Sequence, residues 1–182
     1  MSKLGYKMVR YADDFVILCD SASQAQQALD EVKTWAEENA LTLHADKTHT
    51  GDCLVAGQGF EFLGYRFEAG KRWVRKKSLQ GFKDKIRKKT KRSRGESLSN
   101  IIDDLAPTIR GWFGYFKHAQ KSTFTMLDGF IRRRLRAILR KQEKRPGMGR
   151  CYADHQRWPN AYFANLGLFT MTQAHKEASQ SR

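Results

Sequence analysis

Charge is spread unevenly along this chain, and the partition limits what the chain can fold into. Residues 1–70 carry 6 Lys/Arg against 11 Asp/Glu, a net of −5, whereas residues 71–182 carry 28 against 8, a net of +20. The densest stretch runs from Lys71 to Arg94, where 13 basic residues are opposed only by Asp84. The change in composition predicts a boundary near residues 70–78 and two modules, residues 1–77 and 78–182. With 40% apolar and 12% aromatic residues in 182, the chain can bury a real core, and overall disorder is excluded. The net charge of +15 points to a polyanionic partner, nucleic acid before membrane. Apolar runs reach only about five residues, far short of a membrane span. No charged-then-apolar leader opens the sequence, so secretion is not expected, and no membrane partner is expected either. Cys19, Cys53 and Cys151 are odd in number and lack a C-x-x-C pair. They argue against a disulfide framework or a zinc ribbon and fit a reducing cytoplasm.

Periodicity predicts an α+β first module. Leu4–Arg10 and Phe15–Cys19 are β-prone runs joined by Tyr11-Ala12-Asp13-Asp14, a connection suited to a hairpin. Ala25, Ala28, Leu29, Val32, Trp35 and Ala36 mark one face of a helix, with Ser21 and Gln24 as a capping box. Short strands are expected at Leu41–Leu43, Cys53–Ala56 and Phe60–Phe67, with a return strand at Arg72–Arg75 after a turn at Gly70. The second module reads as helical. Leu79, Phe82 and Ile86 mark one very basic helix, and Ser97 caps a second that Pro107 ends or restarts. Ile109, Trp112, Phe113 and Phe116 mark a third. The clearest helix runs from Thr123 to Lys144, with Phe124, Leu127, Ile131, Leu135 and Ile138 on one side. Arg132, Arg136, Arg140 and Lys144 form a stripe roughly opposite. Pro159 starts a last short helix that Gly167 ends.

Asp13 and Asp14 are the sharpest chemical feature. Two adjacent carboxylates at an exposed turn repel unless a cation is nearby. Mg²⁺ suits them, because it takes one or two carboxylates and completes its shell with water and phosphates. A polar turn without chemistry is the plain alternative. His44, His49, His118, His155 and His175 show no ligand spacing, and Cys151 with His155 lacks partners for zinc.

The run Val9-Arg10-Tyr11-Ala12-Asp13-Asp14-Phe15-Val16-Ile17-Leu18 resembles the metal-binding palm hairpin of reverse transcriptases, above all those encoded by group II introns. Companion matches follow in order. Leu41-Thr42-Leu43-His44-Ala45-Asp46-Lys47-Thr48 resembles the next palm motif, and Phe60-Glu61-Phe62-Leu63-Gly64-Tyr65-Arg66-Phe67 the primer-grip segment. Leu105–Phe116, Phe130–Lys141 and Trp158–Phe169 resemble the thumb-like maturase region. The resemblance implies a partial palm of hairpin, helix and antiparallel strands over 1–77, followed by a basic α-helical thumb/maturase region over 78–182.

Residue by residue, it implies that Asp13 and Asp14 hold Mg²⁺ and that Tyr11 and Ala12 border the incoming nucleotide and primer end. Lys47 would be proton donor or electrostatic partner to the leaving pyrophosphate, and Leu63, Gly64 and Tyr65 would support the primer backbone. The family has fingers and an earlier palm strand, with a further metal carboxylate, upstream of this hairpin. The chain alone is therefore expected to bind metal poorly and not to polymerise, as a truncated gene product, a split enzyme needing a complementary N-terminal reverse-transcriptase chain, or an excised domain. The family's frequent endonuclease appendage, with its paired cysteines, is not visible in the sequence.

The basic module is expected to bind structured intron RNA, and an RNA/DNA duplex in the full enzyme. Arg72, Arg75, Lys76, Lys77, Lys83, Lys85, Arg87, Lys88, Lys89, Lys91 and Arg92 are the expected contacts in the dense run. Arg132, Arg133, Arg136, Arg140 and Lys144 are those on the long helix. About 8 phosphate contacts would give a log–log salt slope of roughly −6 to −7. Trp73, Trp112, Tyr115 and Trp158 could stack on unpaired bases, although Trp112, Phe113 and Phe116 sit at core spacing. A solvated charged face remains the plain alternative. The expected function is RNA-templated DNA synthesis and assistance to splicing. The rivals are an inactive RNA-binding remnant, a reverse transcriptase of another system such as a CRISPR-associated one, and a generic basic structural protein.

Overall fold

The computed structural model describes residues 5–180. It is an α+β structure with helices, a two-stranded sheet and a three-stranded sheet. The chain divides into two compact units, Met1–Arg72 and Trp73–Arg182.

The first unit opens with an antiparallel hairpin, β1 (Lys7–Tyr11) and β2 (Asp14–Leu18), in the register Lys7↔Leu18 to Tyr11↔Asp14. Leu4, part of the expected first strand, lies outside the described residues. Helix α1 (Ala22–Glu38) follows and buries Ala28, Val32 and Ala36. Ser21 Oγ accepts from the Gln24 N–H at 3.1 Å, as the capping motif predicts. The reciprocal bond shifts by one residue, since Gln24 Oε1 accepts from the Asp20 N–H at 2.7 Å.

The strand expected at Leu41–Leu43 is absent. The N–H groups of Ala40 and Leu41 instead close α1 by bonding Glu37 O at 3.1 Å and Ala36 O at 2.8 Å. Ala40 takes φ 55, so this is a Schellman ending without glycine. Cys53–Ala56 is likewise turn rather than strand. Phe60–Phe67 is two strands, β3 (Phe60–Phe62) and β4 (Tyr65–Glu68), joined by Leu63-Gly64. Both turn residues have positive φ, 48 and 79, the pattern of a type I′ hairpin. Ala69 and Gly70 repeat that pattern, with φ 50 and 66, before β5 (Lys71–Val74). Gly59 passes so close to β4 that a Cβ there would lie 2.1 Å from Phe67 O.

The second unit is helical: α2 (Lys76–Lys89), α3 (Leu98–Phe116), α4 (Lys121–Gln142), α5 (Tyr152–Arg157), α6 (Asn160–Asn165) and α7 (Met171–Gln180). Phe82 and Ile86 of α2, Ile101 to Phe113 at helical spacing on α3, and Phe124 to Ile138 on α4 form its core. Pro107 lies inside α3 and does not end it. Its missing N–H would have bonded Asp103 O, and both residues lie on the exposed side of the helix, where the lost bond is tolerated. The two helices expected around Pro107 are therefore one. No helix among the described residues is long and apolar enough to cross a membrane.

Candidate metal and nucleic-acid site

Register sets the geometry of the hairpin tip. Tyr11 pairs with Asp14, which leaves Ala12-Asp13 as a two-residue loop. Ala12 adopts φ 50, a conformation in which its Cβ crowds the backbone. Arg10 Nε donates to Ala12 O at 2.8 Å and holds the loop in that shape. Asp13 and Asp14 are both exposed, and neither carboxylate joins a side-chain hydrogen bond or ion pair with the described residues. Tyr11, 64% exposed, stands next to them. The strands are open on both faces, with Met8, Val9, Phe15 and Leu18 exposed.

Within the same unit β2 lies beside β3, so the hairpin neighbours the strand that leads into Leu63-Gly64. Tyr65, first residue of β4, is half-buried. Lys47 is exposed on a turn where its N–H bonds His44 O at 3.0 Å.

In the second unit the basic residues separate into two groups. The first group holds the fold together. Lys89 and Arg94 both reach Asp104, at 2.6 and 2.9 Å, and bind the end of α2 to α3. These bonds, first from Lys89 and then from Arg94, hold the Asp104 carboxyl below the usual carboxylate range. Arg134 donates to the Thr90 hydroxyl, and to Thr90 O at 2.8 Å, at the C-terminus of α2. Arg136 is 2% exposed; its Nε donates to Trp158 O at 2.9 Å and its Nη2 to Asn160 Oδ1 at 3.0 Å. Its guanidinium lies over the Phe163 ring. Arg140 donates to both carboxylate oxygens of the buried Asp154, at 2.7 and 2.8 Å. Burial pushes the Asp154 carboxyl up, but hydrogen bonds from Cys151 and Arg140 outweigh it and keep the carboxyl below its ordinary range.

The second group faces solvent. Lys76, Lys77, Lys85, Lys88 and Lys91 are exposed and make no side-chain bond to the described residues. Arg87 pairs with Asp84 at 2.6 Å on the surface, and Arg87 and Arg133 both lie over Phe130. Lys83 is half-buried beside Met126, and Arg75 reaches Ser78 Oγ at 3.4 Å. Arg132 is half-buried, with desolvation lowering its pKa, and Lys144 is exposed. Arg72 is exposed at the end of the first unit.

Residues 1–67 match the family model described as reverse transcriptase (RNA-dependent DNA polymerase). Residues 79–158 match that of the group II intron, maturase-specific domain. The chain belongs to the group II intron reverse transcriptase/maturase family. No curated protein matches it. The reverse-transcriptase match contains the Asp13-Asp14 hairpin, and the maturase match contains the exposed Lys85 and Lys88 of α2 and all of α3 and α4.

The hairpin of this family member fits a hard divalent cation in the chemistry of its donors: two carboxylates, accessible and not already neutralised by protein. Among the described residues no third Asp, Glu, His or Cys joins them in a cluster.

Sequence reasoning placed Arg136 and Arg140 on an RNA-facing stripe of the maturase region; Arg136 instead stands inside the fold, and Arg140 is spent on Asp154. The cause is that α4 is covered on more than one side. Leu135, Arg136, Ala137, Ile138 and Leu139 are five consecutive buried residues, because Trp158 and Phe163 close over the face opposite the first apolar stripe. The run Ala137-Ile138-Leu139 was the available signal. Trp158 is buried in the same contact, so of the four aromatics named for base stacking it is withdrawn from solvent. Asp128 and Asp154, both buried polar anchors, carried no motif by which the sequence would mark them.

Proposed function

We propose that this chain is the metal-hairpin and maturase part of a group II intron reverse transcriptase. In the full enzyme it would take part in Mg²⁺-dependent, RNA-templated DNA synthesis, and its basic helical unit would grip structured intron RNA and favour the spliced fold. The observation that carries the reading is the pair of exposed carboxylates, Asp13 and Asp14, at a hairpin tip where neither is ion-paired with a described residue.

Asp13 and Asp14 would hold Mg²⁺, which when bound activates the attacking 3′-hydroxyl and stabilises the leaving pyrophosphate. Tyr11 and Ala12 border the nucleotide and primer end. Lys47 supplies a proton or a positive charge to the pyrophosphate. The Leu63-Gly64 turn and Tyr65 support the primer strand of an RNA/DNA duplex. The open apolar strands, with Met8, Val9, Phe15 and Leu18, suit completion by further palm strands from upstream sequence or a complementary N-terminal chain. That segment would also bring the remaining metal carboxylate. Residues 1–77 would act as palm and 78–182 as thumb and RNA-binding region, in a reducing cytoplasm that suits the free Cys19, Cys53 and Cys151.

A second reading, RNA binding without catalysis, is supported by the free lysines of α2, which belong to the helical unit and need no metal. Primer extension on an RNA template separates the two. The expected result is no synthesis by the chain alone, synthesis when a matching upstream fingers-and-palm fragment is added, and its loss in Asp13→Ala and Asp14→Ala. Failure of every complementing fragment to restore synthesis, with RNA affinity intact, would establish the binding-only reading.

A further inference from the structure

The C-terminus of α4 folds back on itself through a motif that glycine normally serves. Lys144 N–H bonds Lys141 O at 3.0 Å and Arg145 N–H bonds Arg140 O at 2.8 Å, the paired bonds of a Schellman ending. Lys144 occupies the left-handed position, φ 56. The fold-back lines an open pocket of about 410 Å³ with Arg92, Lys141, Lys144, Arg145 and Pro146, four cationic side chains and no acid. Lys141 and Lys144 make no side-chain bond to the described residues. Arg145 has only Glu143 at 3.8 Å, and Glu143 is more closely held by Arg157 at 2.8 Å. Arg92 approaches Met148 Sδ at 3.2 Å through Nη1, while its Nε is buried with no hydrogen-bond partner.

A helix C-terminus attracts cations, but its partial charge is only about −0.5, whereas this pocket gathers four positive charges. The mutual repulsion is relieved by one kind of ligand, a multiply accepting anion. We propose that Arg92, Lys141, Lys144 and Arg145 form a discrete pocket for a backbone phosphate of bound RNA. The inference rests on the RNA-binding reading and deepens it: affinity here comes from a built site and not from diffuse charge. Arg92 supplies the planar fork, Lys141 and Lys144 the point charges, and Pro146 an apolar wall for a ribose.

Two substitutions in the full chain test it, read by titration of a labelled structured RNA over a salt series. Arg92→Lys keeps the net charge; diffuse electrostatics predicts no change, and the pocket predicts about 5–10-fold weaker binding. Lys144→Gly removes one charge and relaxes a left-handed backbone. It should raise or preserve the melting temperature while lowering the salt slope by about 1. Inorganic phosphate titrated into the protein should perturb the Arg92 Nε–H resonance, and should do so less in Lys144→Gly. If RNA binds wild type and both variants equally while Lys85→Gln weakens binding, the pocket falls and the RNA reading stands. If phosphate perturbs Arg92 but neither variant affects RNA, the assignment to RNA is overturned. If wild type binds no RNA, both readings fall together.

Discussion

Arg136 Nε donates to Trp158 O at 2.9 Å, deep between α4 and the segment that carries α5 and α6. A guanidinium that resembles a phosphate ligand in sequence is a bracket within the maturase unit. Its second bond, to Asn160 Oδ1, and its place over Phe163 fix the same segment at three points. Burial lowers the Arg136 pKa, yet arginine keeps its proton, so the charge remains and is answered by oriented dipoles.

Arg136→Ala is therefore expected to destabilise the helical unit by roughly 2–4 kcal/mol, from lost charge-assisted hydrogen bonds and lost packing. RNA affinity per folded molecule should stay unchanged. Urea unfolding and RNA titration of the same preparation check both halves. An unaltered unfolding midpoint with weakened RNA binding would return Arg136 to the RNA surface.

A buried carboxylate on α4 helps to seat α7. Asp128, 3% exposed on α4, accepts from the N–H groups of Met171 at 3.1 Å and Thr172 at 2.9 Å, and so caps a helix distant in sequence. Asp128→Ala leaves both donors bare and should cost about 1–3 kcal/mol. Asp128→Asn keeps an acceptor and should cost less. Hydrogen exchange at residues 171–180 reports the change, with protection falling there first.

Acid should loosen the unit through Asp154. Burial raises its pKa and bonds from Cys151 and Arg140 outweigh that, so the folded carboxyl binds its proton less readily than the unfolded one. The stabilisation is then fully present above the unfolded value, about pH 4, and is lost as pH falls through the lower folded value. Asp104, lowered by Lys89 and Arg94, acts in the same direction. A urea midpoint measured from pH 6 to pH 2 should drop in wild type and drop less steeply in Asp154→Asn. Parallel curves would exclude Asp154 as a source of the pH dependence.

What could be read from the sequence was whatever depends on period and order. Ala28, Val32 and Ala36 on α1, and Phe124 through Ile138 on α4, are buried as their spacing predicts, because one apolar stripe facing one core is a local property. Three kinds of feature were not readable. Left-handed turns at Ala12 and Ala40 carry no glycine, so the usual sign of positive φ is missing. Pro107 looks like a helix end until one knows that it and Asp103 lie on the exposed side of α3. The fate of each arginine depends on contacts distant in sequence. Arg132, Arg136 and Arg140 share a spacing of four, yet Trp158, Asn160 and Asp154 claim two of them. At the candidate metal site the residue types, the hairpin and the exposure of both carboxylates were legible, and the left-handed Ala12 held by Arg10 was not.

The division of the basic residues makes a prediction about salt. Lys76, Lys77, Lys85, Lys88 and Lys91 are unengaged on or just past α2, and Arg92, Lys141 and Lys144 line the pocket at the end of α4. About 8 such contacts correspond to a log–log slope of roughly −6 to −7, the value first suggested by composition, now carried by a subset of the expected residues together with Lys141. Replacing Lys85 and Lys88 together by Gln removes two counterion-releasing contacts and should make the slope shallower by roughly 1.5 to 2. Substituting Lys89, which is bonded to Asp104, should leave the slope nearly unchanged and lower stability instead. Binding isotherms at several salt concentrations, paired with thermal melts, separate the two classes. Equal slopes for the double variant and wild type would mean that the lysine face of α2 does not meet the RNA.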